Sequence, residues 1–139
     1  MDSNKKTELK DNSDLNKYME ELTTDVNLNM NNIREKSLNV STIRAKWLGY
    51  LVKERENLSR IKDVRAAILK KNADSQTSAL RLKSEDKLAE TDDKLQKLSV
   101  LQKNVEANLD YIERALNILN DFSWQIRNLV EVLKLEGMS

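Results

Sequence analysis

Nine cations crowd into 28 residues of this chain: Arg44, Lys46, Lys53, Arg55, Arg60, Lys62, Arg65, Lys70 and Lys71, set against only Glu54, Glu56 and Asp63. The segments on either side are net acidic, so a formal charge of +1 over 139 residues hides a segregated field. Segregated positive charge is what a polyanion reads. On a helix, Lys46, Lys53, Arg60 and Lys71 recur at intervals of 7, 7 and 11, and Arg44, Arg55 and Lys62 at intervals of 11 and 7. Each set returns to nearly the same face, giving two straight rows whose members stand about 10 to 16 Å apart along the axis. Between them runs an apolar arc of Ile43, Trp47, Tyr50, Leu51, Leu58, Ile61 and Ile68. Such rows suit repeated phosphate contact without reading sequence. They also suit the solvated flanks of an amphipathic helix, whose Lys and Arg stems cover its apolar edge. On charge alone a nucleic acid, an acidic protein and an anionic membrane all qualify. Trp47 and Tyr50 lie among the cations, where aromatics stack on unpaired bases, yet both also fit the apolar arc and a place in a core.

Most other chemistry lacks its parts. The chain has no cysteine for thiolate or disulfide chemistry and no histidine, the usual base near neutral pH and the commonest metal ligand. It has no zinc-finger spacing, phosphate-cradling glycine loop or groove-reading module. The acidic cluster Glu85, Asp86, Glu90, Asp92 and Asp93 fits a solvated surface, or a contact for a neighbouring copy's basic rows, better than a metal site. The expectation is a protein that is not an enzyme and uses no metal or cofactor. The opening MDSNKKTELKDN has no apolar core for a signal peptide and the longest apolar run is Trp47 to Val52, which predicts a soluble cytoplasmic protein with no membrane partner.

What must position the cations is helix. Proline is absent and glycine occurs only at Gly49 and Gly137, so hard stops are few. The pattern predicts one helical domain over 13–139 behind a polar tail, 1–12. Within it come a short helix 13–26 behind a Ser13 cap, a connector over Val26 to Asn32 whose asparagines compete with helix, and the long basic helix 30–72. A loop 72–77, a second short helix 78–89 and a last helix 92–136 follow, with Gly137 closing it. The basic helix would be roughly 60 Å long, too long for the interior of a globule this size.

Positions 98, 102, 105, 109, 112, 116, 119, 123, 126, 130 and 133 follow alternating spacings of 4 and 3, and all but Gln102 and Ser123 are apolar. A second seam, Tyr111, Ala115, Ile118, Phe122 and Leu129, runs beside it. Two seams imply apolar contact on both flanks. The fold class is therefore all-α, an elongated protomer with a long basic helix and a coiled-coil-like C-terminal helix, assembling into a homo-oligomer. Its oligomerisation residues would be Leu109, Ile112, Leu116, Leu119, Phe122, Ile126, Leu129, Val130 and Leu133. A helix buried deep in a monomeric bundle would show the same pattern.

Fixed spacings add a family likeness. Glu20, Glu21 and Leu22, then Asp25, Val26 and Leu28, lead without a gap to Lys46, Trp47 and Leu48; Lys83, Ser84 and Glu85 follow, then Leu109, Asp110, Ala115 and Leu116, and Ile126 with Arg127. In these scattered matches, from about residue 18 to 136, the chain resembles the UvsY family of recombination mediators from T-even-like phages. The N-terminal tail is extra, and the loop after the basic helix is shorter and lacks the family's glycine-rich insert. Where the family's basic helix ends in Leu, Lys, any residue and Arg, this chain has Leu69, Lys70, Lys71 and Asn72. Lys70 carries over, and Lys71 is the nearest substitute for the missing arginine. The resemblance implies an all-α homo-oligomer, ring-like in the family, that binds single-stranded DNA through the nine cations without sequence preference. It also implies as partners a RecA-like recombinase and a single-stranded DNA-binding protein, in the cytoplasm of an infected bacterial host. A structural coiled-coil adaptor with no nucleic-acid ligand is the alternative.

Overall fold

A computed structural model describes residues 12–76 and 85–138. They form three α-helices: α1 (Ser13–Asp25), α2 (Ile33–Gln76) and α3 (Glu85–Met138). The cap of α1 is Asn12, one residue ahead of the expected Ser13; its Oδ1 accepts a hydrogen bond from the Leu15 amide at 3.3 Å. After Asp25 the chain turns on asparagines. Asn29 Oδ1 accepts from the backbone N–H of Asn31 and Asn32 at 2.8 and 3.0 Å. Asn32 Oδ1 accepts from the Asn29 N–H at 2.8 Å, while its Nδ2 donates to the Asn27 carbonyl at 2.8 Å. Side-chain amides thus take over the backbone partners that another helical turn would supply. Lys36 Nζ donates to the Thr24 carbonyl at 3.1 Å, lashing the start of α2 to the end of α1.

With 44 and 54 residues, α2 and α3 run about 66 and 81 Å. They pair antiparallel: Arg65 meets Gln102, Glu54 meets Asn108 and Arg55 meets Glu113. At the far end Ile33 and Leu38 share a groove with Val130 and Leu133. The boundaries differ from expectation most at two places; in addition α2 starts at Ile33, not at 30, and α3 continues through Gly137, expected to close it, to Met138. Helix α2 runs past Asn72 to Gln76, and α3 is already helical at Glu85, so neither a loop from 72 nor a break at 90–92 is present. Both stretches lack Gly and Pro, and their polar residues cost too little to stop helices anchored by packing. Residues 77–84, where the rest of that loop and most of the helix over 78–89 were expected, lie outside the described residues, as do 1–11.

The core sits where α1 lies along the middle of the hairpin, antiparallel to α2: Tyr18 meets Glu54, Glu21 meets Tyr50 and Asp25 meets Lys46. Tyr18 and Leu22 of α1, Trp47 and Leu51 of α2, and Ile112, Ala115 and Leu119 of α3 bury one another. Trp47 is 0 % exposed and its ring lies 5.9 Å from Tyr18, 5.3 Å from Tyr50 and 6.5 Å from Tyr111. Burial of such a ring is worth several times the thermal energy, with an aromatic-pair increment on top. Val105, Phe122 and Ile126 are buried too. Beyond α1 the hairpin is, among the described residues, two helices thick, and there Leu38, Leu129, Val132, Leu133 and Leu135 are exposed, as is Met30 of the connector.

Candidate nucleic-acid interface

The apolar arc of α2 faces α1 and α3, and the charge rows emerge at its sides. Their nine cations separate by what else they touch. Lys46 Nζ lies 2.8 Å from Asp25 Oδ2 and 3.2 Å from Glu21 Oε1. Partial burial alone would lower the Lys46 pKa, but hydrogen bonds to Asp25 and Glu21 outweigh it and leave the ammonium above its usual value. Arg65 Nη1 donates to Gln102 Oε1 at 3.3 Å and is half-buried. Arg55 Nη2 reaches to 4.0 Å from Glu113 Oε1, with both side chains more than half exposed, which binds it only loosely. Arg44, Lys53, Arg60, Lys62, Lys70 and Lys71 are exposed, and none forms an ion pair with a described residue. Six cations along α2 are therefore free of the described acids and open to an anion.

Four acidic or amide groups whose contacts the sequence did not reveal hold this helix in place. Asp25 is buried and its Oδ2 accepts from both Lys46 Nζ and Trp47 Nε1, the latter at 2.9 Å. Glu54 is 2 % exposed; its Oε1 accepts from Tyr18 Oη at 2.9 Å and its Oε2 from Asn108 Nδ2 at 3.4 Å. Burial first, then the hydrogen bond to Glu54, pushes the Tyr18 phenol well above the ordinary tyrosine value. Tyr50 donates to Glu21 Oε1 at 2.9 Å, and burial followed by that bond raises it as well. Glu54 falls among the arc residues on the helical wheel, a signal that places a carboxylate in the core, although charge usually keeps it out.

These contacts decide between the two readings of the aromatics. Trp47 has no face free to stack on a base, and Tyr50 is turned into the α1 contact. The exposed aromatic is Trp124, 55 % accessible on α3, with the Arg127 guanidinium 4.9 Å above its ring. It lies off both seams of α3, which is the sequence signal for its exposure.

The residues expected to assemble copies also divide. Ile112, Leu119, Phe122 and Ile126 are buried within the chain's own packing, and Leu109, Leu116 and Val130 are half-buried. Leu129 and Leu133 remain exposed at 40 % and 37 %. Of the acidic cluster, Glu90, Asp92 and Asp93 are exposed, and Asp93 pairs with Lys97 at 3.3 Å. Among the described residues no group of acids is arranged to hold a metal ion, and no helix is long and apolar enough to cross a membrane.

A long antiparallel hairpin flanked by a short first helix defines a class of all-α protein with solved examples. A crystal structure of the bacteriophage T4 recombination mediator protein UvsY superposes with a TM-score of 0.70 at 20% identity, covering 88% of this chain and 98% of that one. A second crystal form of the same phage protein gives 0.62 at 20% identity, covering 88% and 97%. The sequence profile of the family described as "Recombination, repair and ssDNA binding protein UvsY" matches residues 21–138, and the chain belongs to this family. No curated protein sequence matches it. Family and fold together support a role as a recombination mediator.

Proposed function

We propose that this protein binds single-stranded DNA through its phosphates and helps load a RecA-like recombinase onto DNA covered by a single-stranded DNA-binding protein. It acts without catalysis of its own, in the cytoplasm of an infected bacterial host. The observation that supports this reading is the set of six exposed cations on α2, five of them standing in the two rows and none paired with a described acid, in a chain of a recombination and single-stranded-DNA-binding family. Cations spaced one or more helical repeats apart follow a sugar-phosphate backbone and say nothing about the bases. Lys70, at the position matching the family's basic motif, belongs to this set. Lys46 and Arg65 do not, because neighbouring side chains already hold them.

A single row holds DNA weakly, and multiplication of rows makes the grip firm. The exposed apolar end of the hairpin, with Leu38, Leu129, Val132, Leu133 and Leu135, is the surface through which copies gather. The lattice of cations so formed raises effective concentration, so weak contacts add to a tight one. A strand held in this way is bent away from its coat protein, and a recombinase nucleates on it. Native mass spectrometry with and without an oligonucleotide tests the reading: a defined homo-oligomer that takes up DNA is expected, and a monomer that ignores DNA would refute it.

A further inference from the structure

Helix register sets the exposed tryptophan beside a charge row. Arg55 on α2 meets Glu113 on α3 across the hairpin. From that pair Arg44 lies 11 residues back along α2, and Trp124 lies 11 residues on along α3. The helices run antiparallel, so both steps go the same way, roughly 16 Å along the axis, and 11 residues make three turns plus about 20°. Arg44 and Trp124 therefore stand at one level and on the same side of the hairpin, as Arg55 and Glu113 do. The pairing continues beyond them, where Leu38 shares a groove with Val130 and Leu133. Trp124 is 55 % exposed; the Arg127 guanidinium, 4.9 Å from its ring centre, covers one face and leaves the rest of the ring to solvent. Arg44 and Arg127 are both exposed, and neither forms an ion pair with a described residue. Of the acids nearby on α3, Glu131 pairs with Lys134 at 3.9 Å. Asp121 stands about 60° round the helix from Trp124, on the side away from Arg127.

We propose that Trp124 is a stacking platform for one unpaired base of a bound strand. The inference rests on the DNA-binding reading above and deepens it. A strand whose phosphates follow Lys62, Arg55 and Arg44 arrives at Trp124, where an unstacked base lies flat on the open face of the indole. Arg127, on the other face, holds the ring in place and adds positive charge beside it. Cations alone hold a duplex as well as a single strand, because both carry phosphates. A duplex keeps its bases paired and stacked, so only a single strand offers one to Trp124. Every base has a π-face, and the platform therefore selects single strands without selecting a sequence.

The test compares two strands of equal length and phosphate count by fluorescence anisotropy at fixed salt: oligodeoxythymidylate, and the same backbone carrying tetrahydrofuran abasic residues throughout. The wild-type chain should hold the thymidylate strand about 5- to 100-fold tighter, the range for stacking a single base. Trp124→Leu should bring the two affinities together while leaving the salt slope and the affinity for duplex unchanged, and Trp124→Phe should keep most of the gap. Because Trp124 lies on the surface, both substitutions spare the fold, and sedimentation velocity shows whether Trp124→Leu still assembles as wild type does. Equal wild-type affinities, or a thymidylate preference that survives Trp124→Leu, would overturn the platform while leaving DNA binding intact. A Trp124→Leu chain that falls into smaller species would assign the ring to a contact between copies and overturn it too. A wild-type chain that binds neither strand at low salt would overturn the DNA-binding reading and the platform with it.

Discussion

Among the described residues, the molecule is three helices thick around Trp47 and two past Leu38 and Val130. The same seam of α3 runs through both regions, yet Ile112 is 0 % exposed and Leu133 is 37 % exposed. Spacing alone does not distinguish them. The difference is α1, which reaches from Asn12 to Asp25 and no further. Where it lies, the seam closes on the chain itself and the buried acids Asp25 and Glu54 find donors in Lys46, Trp47, Tyr18 and Asn108. Where it is missing, apolar side chains stay open, and that end is the one proposed to gather copies. One region fixes the shape of the basic helix; the other is the one proposed to multiply it.

Substitutions in the two regions should therefore fail in different ways. Trp47→Ala empties the middle of the core and removes one of the two donors to the Asp25 carboxylate, and should cost about 3 to 5 kcal/mol, read as a lower midpoint in urea unfolding. The pair Leu129→Asp and Leu133→Asp should leave protomer stability within about 0.5 kcal/mol and break the oligomer in sedimentation velocity. Apparent affinity for single strands should then fall on the order of 100-fold as multivalency is lost. If the pair instead unfolded the protomer as Trp47→Ala does, the two regions would not be distinct.

Alkali should act on the middle region alone. Tyr18, Tyr50 and Tyr111 are all raised, chiefly by burial. A phenol raised in the folded state keeps its proton where the unfolded chain has lost it, so its contribution is complete below about pH 10 and is lost as pH climbs beyond that. Unfolding midpoints should drop above about pH 10, and Tyr18→Phe should flatten part of that drop. Oligomer dissociation at the same pH without unfolding would point to the wrong region.

Much of the fold was legible because its signals are periodic. The 4-and-3 spacing of α3 and the apolar arc of α2 identify the two faces that meet, and the asparagine run marks the turn before α2. The break expected at Glu90, Thr91 and Asp92 was not there, because polar residues weaken a helix without ending it when Leu95 and Leu98 are half-buried nearby. Sequence placed the cations on α2 but could not tell which were free. That depends on Asp25 and Gln102, which lie 21 and 37 residues away from their partners Lys46 and Arg65. Asn108 left no mark either, since an asparagine between Val105 and Ile112 resembles any polar residue beside a seam.

The central claim, that free cations on α2 grip DNA while held ones shape the helix, is tested most directly by the salt dependence of single-strand binding. Each phosphate neutralised contributes about 0.7 to the slope of log affinity against log salt. Replacing Lys53, Arg60 and Lys70 together by Ala should lower that slope by about 2 and weaken binding to every sequence. Replacing Lys46 and Arg65 should barely move the slope and should show instead as lost stability. A Lys53, Arg60 and Lys70 variant that binds with the wild-type slope, or a Lys46 and Arg65 variant that loses as much of it, would contradict the account.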